Sequence, residues 1–194
     1  MESTGIKNLD KALGGGLPIP SGIVLIGPLG CGKTALGRQL VANLLAKDCA
    51  VMYVTVDEEA SDCKAALKEL GVNAEQYIAS GQLYFVDVFK MGVEQLGAVV
   101  TGGKNASALL SSAPSSDLLS GELLKLIRDF AAKNLGKKQL GFTDSITPLL
   151  LTATETEVYQ FSRTFKEVLK FLNGIGIATV HENILDKKNP GPLP

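Results

Sequence analysis

Short apolar runs alternate along the chain with longer stretches in which apolar residues recur every three or four positions. That alternation predicts strand–helix–strand units. The runs at Gly22–Ile26, Ala50–Val56, Leu83–Val88, Gln139–Asp144 and Ile175–His181 read as five strands. Helices are expected over Lys33–Ala46, with Leu36, Leu40, Leu44 and Leu45 on one side, and over Glu59–Leu70, closed by Gly71. Two more are expected from about Asp117 to Asn134, capped by Ser116 or Asp117, and over Glu155–Leu172. Lys90 to Ser116 is rich in Gly, Ser and Ala, and its GGKNAS and SSAPSS segments read as loops. The closing DKKNPGPLP reads as an unpacked tail, and no internal repeat is evident. Right-handed crossovers would gather the strands into one mainly parallel sheet covered by helices on both sides, a three-layer α/β domain spanning 1–194.

Composition agrees with that architecture. Hydrophobic residues make up 45% of the 194 positions and aromatics 6%, so the core must be built mainly from Leu, Ile, Val and Ala. The formal net charge is -1, without the basic excess that usually marks a nucleic-acid-binding surface. The cysteines Cys31, Cys49 and Cys63 fit no metal-ligand spacing and leave an odd count for disulfides, which points to a reducing compartment. The N-terminus lacks a signal-peptide pattern, and no apolar run approaches the roughly 20 residues that span a bilayer. A cytoplasmic location is the expectation.

The chemistry concentrates between the first strand and the first long helix. Gly27-Pro28-Leu29-Gly30-Cys31-Gly32-Lys33-Thr34 matches G-x-x-x-x-G-K-[ST] at every position. Glycines let the backbone wrap phosphates with its N–H groups turned inward. Lys33 brings a positive charge to the β and γ phosphates, and Thr34 offers a hydroxyl to Mg²⁺. The helix that begins there, with Ala35 in its first turn, aims the positive end of its dipole at the anion. Gly27, Pro28, Leu29, Gly30, Cys31, Gly32, Lys33, Thr34 and Ala35 are therefore the candidate nucleotide-binding residues. The alternative is a Gly-rich turn that binds nothing. Cys31 reads as a small loop residue, with a redox role as the alternative.

Around this loop the chain resembles the RecA superfamily, and within it the KaiC-like ATPases of archaea and bacteria. The resemblance is carried by Thr4-Gly5-Ile6, Leu9-Asp10 and Leu13-Gly14-Gly15-Gly16-Leu17-Pro18 ahead of the loop. It continues through Tyr53 to Glu59 (YVTVDEE), Phe142 to Leu151 (FTDSITPLLL) and Ile177 to Glu182 (IATVHE). It implies a RecA-like P-loop fold, ATP with Mg²⁺ as the ligand, and an acidic pair after the second strand that activates water. Glu58 occupies that place, with Glu59 as its alternate. The competing reading is that Asp57, Glu58 and Glu59 only favour the start of the next helix. Asp144 resembles the Walker B aspartate, which acts on Mg²⁺ through water and the Thr34 neighbourhood. Its alternative is a strand-end cap with Ser145. Ser145 and Thr147 are candidates to support the site through hydrogen bonds. His181, at the end of the fifth strand, stands where the family often has a γ-phosphate sensor, though a lone strand-end His is more often structural. Asp87 has the same ambiguity between site residue and loop cap. Lys64, Lys68, Lys166 and Lys170 read as solvated helix faces.

The chain also departs from the pattern. The resembled domain continues past its fifth strand with further strands, basic residues that reach a neighbour's γ-phosphate, and the adenine-side determinants. Here only Lys187 and Lys188 follow, so the C-terminal strands have no counterpart before Pro194. Four functions stay open. The first is an ATPase whose nucleotide state drives assembly or a partner. The second is a nucleotide-binding regulatory module without hydrolysis. The third is a recombination accessory ATPase on single-stranded DNA, although Lys90 to Ser116 holds no aromatic residue and no Arg. The last is a small-molecule kinase, disfavoured because Arg38, Arg128 and Arg163 are scattered on helices instead of forming a lid. The resemblance implies a homo-oligomeric ring, usually of six subunits, with ATP at the subunit boundary.

Overall fold

The expected runs become strands β1 (Ser21–Gly27), β2 (Ala50–Thr55), β3 (Leu83–Asp87), β4 (Gln139–Asp144) and β5 (Ile175–His181). They form one sheet in the order β1-β5-β4-β2-β3, every neighbouring pair parallel. This computed structural model describes residues 1–87, 123–152 and 154–182. Val88, the loop readings between Lys90 and Ser116, the helix start near Asp117 and the tail at 183–194 fall outside those residues.

The helices are α1 (Lys7–Ala12), α2 (Lys33–Leu45), α3 (Ala60–Glu69), α4 (Ala74–Ala79), α5 (Leu123–Lys133), α6 (Thr147–Thr152) and α7 (Glu155–Leu172). The period of apolar residues anticipates α2, α3, α5 and α7. It does not anticipate α1, α4 and α6, each six residues long and too short to display it.

Strand alternation splits the sheet into two faces. On one, Val51, Tyr53, Leu83, Leu140, Phe142, Ile175 and Ile177 pack with Leu40, Val41, Leu44 and Leu45 of α2 and with Cys63 and Leu67 of α3. Tyr53 and Phe142 meet edge to face at 4.9 Å, both fully buried. A β-carbon at Gly37 would lie 2.2 Å from the Phe142 ring, so glycine there lets α2 approach β4 closely. The opposite face, lined by α5 and α7, holds a smaller cluster of Ala50, Met52, Val54, Val56, Val86 and Phe130. Tight packing on the first face fixes α2, and with it the phosphate loop, above the carboxyl ends of the strands.

Candidate functional site

Parallel pairing puts every strand's carboxyl end on one edge. In register, Gly27 lies beside His181, and Thr55 lies beside Asp144. The order also inserts β5 between β1, which feeds the phosphate loop, and β4, which carries Asp144. The site therefore draws on residues far apart in the chain. Ligands of open α/β sheets bind at this carboxyl edge.

The loop from Gly27 to Thr34 turns through Gly30 and Gly32, whose φ angles of +76° and +92° are left-handed. Neither has an atom within 4 Å of an added β-carbon, so backbone conformation, not space, requires glycine there. Lys33 is buried, and its ammonium donates to the carbonyls of Gly27 at 2.9 Å and Pro28 at 2.7 Å. The charge is thus held inside the turn. Cys31 is exposed, with its Sγ 3.7 Å from that ammonium.

One helical step on, the Thr34 hydroxyl donates to Asp144 Oδ1 at 3.0 Å. The same oxygen accepts from the Thr179 hydroxyl of β5 at 2.7 Å. Asp144 is 8% exposed, and two hydroxyls hold its carboxylate toward the first turn of α2. Behind it, Ser145 donates to Thr147 Oγ1 at 2.9 Å, and the His181 backbone N–H donates to the same oxygen at 2.9 Å. Ser145 and Thr147 thus tie β4 to β5. Thr55 Oγ1 is fully buried, lies in register with Asp144 on the α2 face, and has no hydrogen-bond partner among the described residues. These hard oxygen donors suit Mg²⁺. Among the described residues, no group of three or more His, Cys, Asp or Glu side chains is placed to hold a metal alone. A cation at Thr34 and Asp144 would complete its shell with water and phosphate, the usual habit of Mg²⁺.

The acidic segment after β2 divides. Asp57 Oδ2 lies 3.9 Å from His181 Nε2. Burial, followed by the nearby charges of Asp144 and Glu58, pushes the Asp57 carboxyl up, while His181 works against the shift. Glu58 instead accepts from Arg38 Nη2 at 2.7 Å. Glu59 is exposed at the start of α3, where the Ser61 hydroxyl donates to it at 3.2 Å. Asp87 accepts from the Ala60 backbone N–H at 3.0 Å and so secures the same helix start, its loop-capping reading. The structure therefore gathers Lys33, Thr34, Asp144 and His181 at one place. It adds Asp57 and Thr179, which sequence reasoning passed over: Asp57 reads there as one of three helix-start acids, and Thr179 as an ordinary strand residue.

Comparison with known proteins fits this geometry. A family model described as KaiC ATPase matches residues 2–189. The chain belongs to the KaiC ATPase family. A UPF0273 protein from Methanopyrus kandleri is 26% identical over 185 residues, covering 93% of this KaiC-family chain and 66% of its own length. The archaeal flagellar ATP-binding protein FlaH of Sulfolobus acidocaldarius is 33% identical over 81 residues, 42% of this chain and 35% of that protein. The crystal structure of flagellar accessory protein FlaH from Methanocaldococcus jannaschii superposes with a TM-score of 0.67 at 23% identity, over 93% of this chain and 70% of that one. That likeness shows the RecA-like fold. The chain spans 66% of the Methanopyrus protein and 48% of a similar UPF0273 protein from Pyrobaculum aerophilum, 29% identical over 147 residues, 76% of this chain. Among the described residues no helix is long and apolar enough to cross a membrane.

Proposed function

We propose that this chain binds ATP with Mg²⁺ on the 27–35 loop and hydrolyses it, using nucleotide state to change its own assembly or that of a protein partner. The observation that carries the reading is the contact of Thr34 and Thr179 with one oxygen of the buried Asp144, directly behind a complete phosphate loop. In this reading Lys33 leaves the Gly27 and Pro28 carbonyls to meet the β and γ phosphates. Loop N–H groups and the α2 dipole hold the same anion. Thr34 and Asp144 hold the metal side, where Mg²⁺, when bound, supplies neutralisation of phosphate charge. Asp57, Glu58 and Glu59 are the candidates to orient the attacking water. Asp57 is favoured because it lies 3.9 Å from His181 at the carboxyl edge, while Glu58 is engaged by Arg38.

A cytoplasmic homo-oligomer with nucleotide at a subunit boundary goes with this proposal. A second reading, nucleotide binding without turnover, is favoured by the Sulfolobus relative, whose name specifies ATP binding alone. The deciding measurement is ATP turnover with Mg²⁺ across protein concentrations, beside Lys33→Ala. Turnover that rises with assembly, and ATP affinity that falls about hundredfold in Lys33→Ala, are expected, about 2.7 kcal/mol of binding. Tight binding through Lys33 with no turnover in assembled protein selects the second reading.

A further inference from the structure

Arg38 and Lys33 are the two charged residues of α2. Arg38 stands four residues after Thr34, so the two share a helix face, about 6 Å apart along the axis. Thr34 reaches β4 through Asp144. Arg38 reaches the end of β2. Its Nη2 donates to Glu58 Oε2 at 2.7 Å and its Nε to the Tyr53 hydroxyl at 3.2 Å. The Arg38 side chain is 16% exposed. Burial opposes its charge, and the Tyr53 hydroxyl and Glu58 carboxylate more than offset that, so the guanidinium is held above its ordinary value. Tyr53 is itself fully buried against Phe85 and Phe142, so the fork rests on a rigid support.

The contact resolves an ambiguity built into the sequence. Asp57, Glu58 and Glu59 are consecutive carboxylates leaving β2. Asp57 and Glu58 are neighbours at the bend after β2, so a contact that fixes the Glu58 side chain also fixes the backbone from which Asp57 projects. With Glu58 drawn to α2, Asp57 lies toward His181, its Oδ2 3.9 Å from Nε2.

We propose that Arg38 is a positioning residue: by clamping Glu58 to α2 it presents Asp57, and not Glu58, to the water that attacks the γ-phosphate. Glu58 is then an anchor and Asp57 the carboxylate that acts. This rests on the ATPase reading above and assigns the roles within it.

The test uses the full chain with Mg²⁺–ATP and the variants Arg38→Gln, Arg38→Lys, Glu58→Gln, the Arg38→Gln/Glu58→Gln double, and Asp57→Asn. Arg38→Gln and Glu58→Gln each lower kcat about tenfold to a hundredfold, the scale of a misplaced catalytic group, with KM unchanged within about threefold. The double variant is no worse than either single, because both remove one contact. Arg38→Lys restores part of the rate. Asp57→Asn loses more than any of these. The carboxyl NMR resonance of Asp57, assigned by its absence in Asp57→Asn, moves in Arg38→Gln and returns part-way in Arg38→Lys. Glu58→Gln abolishing turnover as fully as Asp57→Asn, with Arg38→Gln neutral or faster, overturns the proposal and makes Glu58 the base. If the native protein turns over no ATP, the ATPase reading fails by itself. The Asp57 resonance then decides the clamp, and its staying fixed in Arg38→Gln overturns it.

Discussion

Two groups of polar side chains share the carboxyl edge of the sheet and are held in opposite ways. Asp144, Thr34, Thr179, Ser145 and Thr147 form a closed network under α2, all but Thr34 buried. Asp57, Glu58 and Glu59 stand at a bend after β2, partly exposed, each held by a different partner. The first group is rigid because unbonded polar groups are costly when buried, so every rotamer is fixed by a neighbour. The second can be redirected by changing one partner, because water satisfies whatever is released. In an enzyme that handles a metal-bound phosphate, the metal side benefits from rigidity, whereas the side that meets water tolerates adjustment.

The contrast can be broken at its base. Phe142→Ala removes a fully buried ring two residues from Asp144, under Gly37 and against Tyr53. A loss of about 3–5 kcal/mol in urea unfolding is expected. If the rigid network depends on that support, Mg²⁺-dependent nucleotide binding weakens in the surviving folded protein as well.

Asp144→Asn tests the rigid group directly. It keeps the shape and removes the charge, so Mg²⁺-dependent turnover falls about 10²–10³-fold. Affinity for ATP measured in EDTA, where no metal bridges the site, stays close to that of the native protein. Equal losses with and without Mg²⁺ would assign Asp144 a purely structural task.

The smallest effect expected is one on stability, at Asp57. Burial raises its folded pKa above the ordinary 3.8, so its charge opposes folding at neutral pH. The stability associated with the protonated form is complete below 3.8 and lost as pH rises through the raised value. Asp57→Asn should therefore raise the melting temperature slightly near pH 7, a gain that fades as pH falls toward 4, read by thermal melts across pH. A destabilised variant at pH 7 would show that His181 contributes more than burial costs.

Much of this was legible in the chain. Strand and helix periods anticipated four helices and five strands, with β4, α7 and β5 matching their expected limits. The phosphate loop was readable because its chemistry is local: glycines, Lys33 and Thr34 fall within eight residues. Asp144 stood out because it ends an apolar run. Thr179 did not, since threonine is a common strand residue and its value comes only from lying on β5 between β1 and β4. Arg38 read only as one of three arginines scattered on helices, because its partners Tyr53 and Glu58 are 15 and 20 residues away.

Sequence by itself determined the fold class and the phosphate loop, because strand periodicity and the loop's dihedral and charge demands are written over short spans, while the KaiC-like character was carried by resemblance of the motifs around that loop. Tertiary structure alone decided the strand order, and so which hydroxyls meet Asp144. It also decided which acid of the Asp57–Glu59 run turns toward that edge. Composition cannot choose among three adjacent carboxylates; the choice falls to the groups that packing brings within hydrogen-bond reach, Arg38 from α2 and His181 from β5.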